Sequence, residues 1–446
     1  MKQVSTARPN IIFIVADDLG FADLGCYGGR DAKFGKISPV LDKLAASGLK
    51  FTQGYANSPV CSPTRFALMT ARYQYRLRGG ADEPISSRSK GSTVLGLPPE
   101  HPTLPSLLQA SGYRTALIGK WHLGYPPHFS PIKSGYEEFF GPMSGGVDYF
   151  THASNNGTHD LYCDEEETHE DGYLTDLLSH RAVDYVNRMA AGAAQGTPFF
   201  LSLHYTAPHW PWETREDHAL AEEVKDNLFH LHGGNIHTYH RMIHHMDEGI
   251  GWIVDALQKT GQLENTLIVF TSDNGGERFS DNWPLVGGKM DLTEGGIRVP
   301  WIAHWPAVIA AGGVSAQHCM TMDWSATMAE LAGVKADSAY PFDGVSLAPV
   351  LHDADHQFDR PLYWRMNHRG QRALRHGDYK YLRVDGHDYL FNILADERER
   401  ANLAKHQPQM LESLRAEWEA WDATVPAIPE DAAVSLGYSK ADMPQR

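Results

Sequence analysis

Two pairs of oxygen-bearing residues stand where a sheet would deliver them to one point. Asp17 and Asp18 directly follow the apolar run Ile11–Val15, and Asp273 and Asn274 follow Leu267–Phe270, ahead of the flexible Gly275-Gly276. Three carboxylates and an amide oxygen form an all-oxygen set suited to a hard divalent cation, Ca²⁺ or Mg²⁺, rather than to zinc. Either pair alone reads equally as a helix cap or a turn. Two pairs at equivalent strand ends favour a shared cation, because adjacent carboxylates otherwise repel.

Four further segments carry reactive types. Cys61-Ser62-Pro63-Thr64-Arg65 opens a helical stretch, and a thiol near a helix N-terminus with a cation following is expected to have a lowered pKa. Its plainer reading is a half-buried cysteine before a helix. Gly119-Lys120-Trp121-His122-Leu123-Gly124 follows another strand; on an extended segment Lys120 and His122 would project to the same side. In Thr206–Pro211 two prolines stiffen a loop around His209. Gly287-Gly288-Lys289 precedes Glu294-Gly295-Gly296-Ile297-Arg298-Val299-Pro300. Each segment taken singly has a structural explanation, such as a surface lysine beside a packed histidine; their joint presence is what points to a site.

The elements that must position these groups alternate. β-rich runs at Ile11–Val15, Thr115–Ile118, Phe199–Leu203, Leu267–Phe270 and Val299–Ala303 are separated by helical patterns at Ser38–Ala46, Leu104–Ala110, Leu177–Met189 and Tyr239–Leu257. This predicts an α/β fold, a large mixed and mostly parallel sheet with helices on both faces, with its site beyond the carboxyl ends of the strands. After about residue 355 the texture changes to short strands at Arg372–Leu374, Tyr379–Arg383 and Tyr389–Asn392 and one helix, Gln409–Trp421. We therefore divide the chain into a catalytic α/β domain, 1–355, and a small C-terminal antiparallel sheet with a helix and tail, 356–446.

Composition limits the partners. The 446 residues are 42% hydrophobic and 21% charged, ordinary for a globular chain, so disorder and coiled coil are set aside. A formal net charge of −16 argues against nucleic acid and anionic membranes, although cations or a metal can reverse the sign within a cleft. Four scattered cysteines make no disulfide framework. The first ten residues lack a signal-peptide core, so the expected location is cytoplasmic, or periplasmic if a leader has been removed.

Taken in order, Pro9-Asn10 through Asp18, Cys61 to Arg65, Gly119 to Gly124, Pro208-His209, Asp273 to Gly276, Gly287 to Pro300 and the C-terminal Leu390-Phe391-Asn392 with Glu399 to Leu403 resemble the type I, arylsulfatase-like sulfatases of the alkaline phosphatase-like superfamily. The resemblance implies that Cys61, in its Cys-x-Pro-x-Arg pattern, is oxidised to formylglycine by a formylglycine-generating maturation enzyme. It implies that Asp17, Asp18, Asp273, Asn274 and modified residue 61 hold Ca²⁺, with Mg²⁺ an alternative. Arg65 and Lys120 would hold the formylglycine diol and sulfate, His122 would contact a diol hydroxyl, and His209 and Lys289 would bind sulfate and the leaving oxygen. The implied reaction is hydrolysis of a small-molecule sulfate ester, an aryl sulfate or a sulfated carbohydrate, with the hydrate attacking sulfur. A phosphonate monoester or phosphodiester hydrolase of the same superfamily is the alternative, and a non-catalytic sulfated-ligand binder is a further one. Oligomeric state is left open.

Other residues attract attention. Asp148 and His152, in the segment Gly145–His152, are substrate-specificity candidates. Trp210 and Trp212 would either wall a ring-binding site or pack beneath the loop. Nine histidines lie between His204 and His245, and His240 and His244 have i,i+4 chelating spacing. An apolar face from Ile236 to Leu257 leaves most of them on the polar side, the pattern of a solvated helix. The acidic run Asp164–Glu167 reads as an exposed loop.

Overall fold

Every residue of the first strand, Asn10–Ala16, is buried. Its side chains alternate between two layers: Ile12, Ile14 and Ala16 enter one apolar core, Ile11, Phe13 and Val15 the other. An unbroken apolar run is what a strand covered on both faces requires. The structure, a computed structural model, describes residues 8–29, 31–155, 157–225, 227–437 and 442. Residues 1–7 and most of 438–446, at the two ends of the spans assigned from sequence, lie outside the described residues.

This strand is central to a ten-stranded sheet. From edge to edge the order is Gly313–Ser315, Leu49–Phe51, Trp301–His304, Thr266–Ser272, Asn10–Ala16, Phe199–His204, Arg114–Gly119, Glu138–Gly141, Tyr162–Cys163 and Glu166–Glu167. The five strands from Thr266–Ser272 to Glu138–Gly141 are parallel, so their carboxyl ends lie on one edge. Trp301–His304 is antiparallel to both its neighbours. On one face lie the helices Pro39–Ala46, Leu174–Ala194 and Ile236–Lys259; on the other lie Cys61–Thr70, Leu104–Ala110 and Thr321–Leu331. The expected mixed, mostly parallel α/β sheet is the one found.

A second, four-stranded antiparallel sheet runs in sequence order through Leu362–Arg365, Arg372–His376, Tyr379–Val384 and His387–Asn392. The helix Pro408–Asp422 covers one face, where Leu414 and Trp418 meet Leu374, Tyr381 and Leu390. The other face shares a core with the start of the helix Cys61–Thr70: Trp364, Ala373, Leu382 and Phe391 cluster with Tyr55, Val60, Cys61 and Ala67.

Several elements differ from the sequence reading. The expected strand Val299–Ala303 begins instead at Trp301, because Pro300 has no N–H to offer a ladder. The acidic run is not a loop: Tyr162–Cys163 and Glu166–Glu167 form a hairpin on the sheet edge, turned through a left-handed Asp164 (φ 55°) whose carboxylate accepts the Phe139 N–H at 2.9 Å. His240 and His245 are buried in their helix rather than solvated; His240 packs edge-on against Phe34. Among the described residues no helix is long and apolar enough to cross a membrane.

Candidate active site

Backbone hydrogen bonds carry the sheet ladder one step past the strand ends and fix the first residues of the site. Asp17 N–H donates to Ala207 O at 3.1 Å, Asp273 N–H to Ala16 O at 3.1 Å, and Lys120 N–H to His204 O at 2.8 Å. Three loops are thereby registered against one another before any side chain is considered. Asp18 and His122 are held in the left-handed region, φ 63° and 57°, which costs non-glycine residues energy and is typical of functional sites. The His122 backbone is therefore not extended, as the reading from spacing required; the turn itself sends the ring toward Gly145.

Within this frame Asp17, Asp18, Asp273 and Asn274 converge, all buried. Asn274 Nδ2 donates to Asp18 Oδ1 at 2.7 Å, and Arg65 clasps Asp273 Oδ2 through Nε at 3.1 Å and Nη2 at 2.8 Å. Lys120 Nζ pairs with Asp17 Oδ2, and Lys289 Nζ lies 2.7 Å from Asp18 Oδ2. Two oxygens, Asp17 Oδ1 and Asn274 Oδ1, are buried with no hydrogen-bond partner among the described residues. Ligand atoms of Asp17, Asp18, Cys61 and His209 lie within 4.8 Å of one another.

The electrostatics record the crowding. Burial and the neighbouring Asp17 push Asp273 up to about 6 against the pull of Arg65 and Lys120. Burial would raise Asp18 too, but the Lys289 ammonium, with a hydrogen bond from Asn274, holds it at about 2. Orphaned acceptor oxygens beside clustered carboxylates fit a hard cation: it would satisfy acceptors that no protein donor reaches, and offset their repulsion.

Cys61 is the first residue of its helix, and all ten residues of that helix are buried. Its thiol is not activated as expected from the helix terminus and Arg65. Burial pushes it up to about 12, Lys120 and Lys289 opposing and Asp17 and Asp273 adding to the rise. With the protein's own groups alone, an unmodified Cys61 is a neutral thiol at physiological pH, the opposite of an activated thiolate.

Both histidines of the site are held neutral, His122 by burial and then Lys120, His209 by burial and then Lys289. His122 Nε2 lies 2.7 Å from Ile85 O and donates there, leaving the buried Nδ1 with a free lone pair. His209 Nδ1 likewise donates to Trp210 O at 2.8 Å, so Nε2 faces Asp18 Oδ2 at 3.6 Å.

The structure thus brings together Cys61, Arg65, Lys120, His122, His209 and Lys289 with Asp17, Asp18, Asp273 and Asn274. Asp148 turns its carboxylate into its own loop, where Oδ1 accepts the N–H groups of Phe150 at 2.9 Å and Thr151 at 2.6 Å. His152 is buried beside the His159 ring. Trp210 and Trp212 pack under the loop, against Phe229 and against Tyr239 and Phe279 respectively. Among the described residues no cluster of three or more metal-binding side chains includes His240 or His244; His244 Nδ1 faces Ile37 O at 3.1 Å. A second cluster, His159, Glu167 and His169, is partly exposed, and both His159 nitrogens face carbonyls, Thr151 O at 3.3 Å and Thr168 O at 2.7 Å.

Sequence reasoning missed supporting residues. His204 Nδ1 lies 3.3 Å from Arg65 Nη1, and Tyr149 Oη donates to His209 O at 2.9 Å. The position of His204 at a strand end was a usable signal; nothing local marks Tyr149.

Cations and a metal-fitting oxygen cluster converging on one helix-terminal residue, at the carboxyl edge of an alkaline phosphatase-like sheet, define a hydrolase that neutralises charge on an oxyanion ester. The sulfatase family profile matches residues 9–334, and the chain belongs to that family; it hydrolyses sulfate esters. It is 34% identical over 396 residues to N-acetylgalactosamine-6-sulfatase of Rattus norvegicus, covering 83% of this chain and 71% of the relative. Arylsulfatase A of Homo sapiens is 33% identical over 404 residues, covering 84% and 75%. Among solved structures, Ps i-CgsB in complex with k-i-k-neocarrahexaose superposes with a TM-score of 0.84 at 34% identity, covering 96% of this chain and 95% of that one. Family membership implies a metal ion and formylglycine, and the buried acidic cluster with Cys61 and His209 is compatible with both.

Proposed function

We propose that the chain releases sulfate from a sulfated carbohydrate, with Ca²⁺ as its metal and residue 61, as formylglycine, as its nucleophile. The observation that carries this reading is the pair of orphaned oxygens, Asp17 Oδ1 and Asn274 Oδ1, beside residue 61 and ringed by Arg65, Lys120 and Lys289. The carbohydrate class is supported by the relatives, one named for a sulfated amino sugar and one solved with an oligosaccharide.

Asp17, Asp18, Asp273 and Asn274 would hold the cation, whose charge would lower the barrier to negative charge building on the sulfuryl oxygens. The formylglycine hydrate supplies a hydroxyl for attack on sulfur and a second hydroxyl for release of the sulfate. The remaining work falls to the chain's own groups. Arg65, anchored on Asp273, fixes the metal-side carboxylate, and through Nη1 it holds the Lys120 carbonyl at 3.0 Å. Lys120 and Lys289 place two ammonium charges at the sulfuryl group. Neutral His122, its Nε2–H committed to Ile85 O, offers Nδ1 as the base that takes the second hydroxyl proton. Neutral His209 has its one ring proton on Trp210 O, which leaves the Lys289 ammonium as the donor for the departing alkoxide.

The first test is the mass of the tryptic peptide spanning Phe51–Arg65 after co-expression with a formylglycine-generating enzyme, together with sulfate release from sulfated oligosaccharides and from an aryl sulfate. An aldehyde at residue 61 and a higher kcat/KM on the oligosaccharide are expected. An unmodified thiol, with a control sulfatase converted in the same cells, overturns the nucleophile; a preference for the aryl ester overturns the carbohydrate. Cys61→Ala is expected to abolish turnover, and His122→Ala to lower kcat by about 10²–10⁴-fold, measured on modified protein.

A further inference from the structure

Lys289 reaches the site from a loop without regular secondary structure, and its own backbone N–H is held only by a 3.2 Å bond to Gly276 O. The next residue, Met290, is left-handed at φ 74°, a conformation that persists only where the surroundings impose it. One restraint is local to the site: Met290 N–H donates to Pro59 O at 2.8 Å, two residues before Cys61. A second closes the loop's own turn, Asp291 N–H donating to Gly288 O at 3.0 Å, and two more come from a residue far away in sequence. Gln371 Nε2 donates to Met290 O at 2.8 Å, and Gln371 Oε1 accepts the Leu292 N–H at 2.9 Å. Gln371 is only 1% exposed and immediately precedes the strand Arg372–His376 of the C-terminal sheet. Its backbone is fixed in turn, Gln371 O accepting the Met366 N–H at 2.8 Å.

One primary amide therefore grips the backbone on both sides of Asp291, and the restrained span begins one residue after Lys289. A donor and an acceptor side by side at this reach are what a glutamine amide supplies; a carboxylate keeps only the acceptor and a thioether effectively neither. We propose that Gln371 is a positioning residue for Lys289: the C-terminal sheet sets where the Lys289 ammonium stands against the sulfuryl group. This rests on the reading of Lys289 as a group that contacts substrate.

The test is a double-mutant cycle on formylglycine-containing enzyme, with Lys289→Ala, Gln371→Met and the double variant. Lys289→Ala is expected to lower kcat/KM about 10²–10³-fold, as for loss of one charge-stabilising donor. Gln371→Met, of similar volume, is expected to lower it about 10–100-fold, the scale of a misplaced catalytic group. The double variant is expected to be no slower than Lys289→Ala alone, since a positioning residue has no effect once the group it positions is gone. Gln371→Glu keeps side-chain length and the Leu292 acceptor but loses the donor to Met290 O; it replaces Gln371→Met in the cycle if the latter fails to fold. Leu374→Ala, buried in the same sheet, is expected to lower Tm without this coupling. Multiplicative losses in the double variant, or an unchanged Gln371→Met rate, overturn the proposal for Gln371. An unchanged Lys289→Ala rate instead overturns the reading of Lys289 on which it rests.

Discussion

At the scale of single residues, the least expected feature is a pair of acids. Asp148 Oδ2 and Glu213 Oε1 are both buried without a donor among the described residues. Burial, and then the charge of Asp148, push Glu213 up to about 9. A single proton on Glu213, donated to Asp148, would satisfy both oxygens and tie the loop after Gly146 to the loop after His209. The sign follows from linkage: a carboxyl with a folded pKa of about 9 against 4.5 unfolded contributes stability that is complete below pH 4.5 and lost as pH rises through about 9. Urea unfolding followed from pH 5 to 10 should therefore show a falling contribution that Glu213→Gln removes; parallel profiles for the two proteins would refute the shared proton. Asp148 was legible from sequence as a loop residue of interest, but its partner was not, since Glu213 lies 65 positions on with no spacing rule to connect them.

At the scale of elements, the central strands were legible because burial on both faces leaves an unmistakable apolar run, and the acids beyond them inherit their position from it. The short strands Leu49–Phe51 and Glu138–Gly141 were not, since three or four residues carry too little pattern to separate strand from loop. Histidine burial in Ile236–Lys259 was also hidden, because an imidazole edge can pack on an aromatic ring as readily as face water. The junction between strand and site depends on Gly119. Its φ is 115°, and a Cβ there would stand 1.9 Å from His204 O, the acceptor that registers Lys120. Gly119→Ala is expected to cost roughly 2–3 kcal/mol of stability and to lower kcat as Lys120 shifts. Thermal unfolding with steady-state kinetics checks both, and a fully active, equally stable variant would show that the junction tolerates a side chain.

At the scale of the whole molecule, the C-terminal sheet is fastened to the catalytic sheet by buried charge. Lys380 Nζ lies 2.8 Å from Glu294 Oε1 and 2.9 Å from Glu399 Oε1, and Glu294 N–H donates to Glu399 Oε2 at 2.7 Å. Glu294 opens the short helix Glu294–Ile297, and Gly296 O in that helix accepts the N–H of Gly275, next to Asn274 of the site. Removing one member of such a network strands the others: Lys380→Met is expected to destabilise by about 3–5 kcal/mol. Denaturant unfolding of Lys380→Met against wild type measures it, and a loss below about 1 kcal/mol would mean that the network carries no more than surface pairs do. The sequence reading separated this region at residue 356 from its change of texture; the contacts through which it reaches the site, Gln371, Lys380 and Glu399, join positions about 80–105 residues apart and leave no local trace.

The burial of the helix that begins at Cys61 also bears on the protein's history. With residue 61 only 2% exposed and every neighbour through Thr70 enclosed, a second enzyme has no route to that side chain in the finished fold. On the proposed chemistry, oxidation must come while the segment is still an open strand of polypeptide, so maturation and folding race each other. A chain that folds first is locked out of activity. Native unmodified protein given the maturation enzyme should then remain inert, whereas the same chain offered in denatured form and refolded afterwards should gain activity.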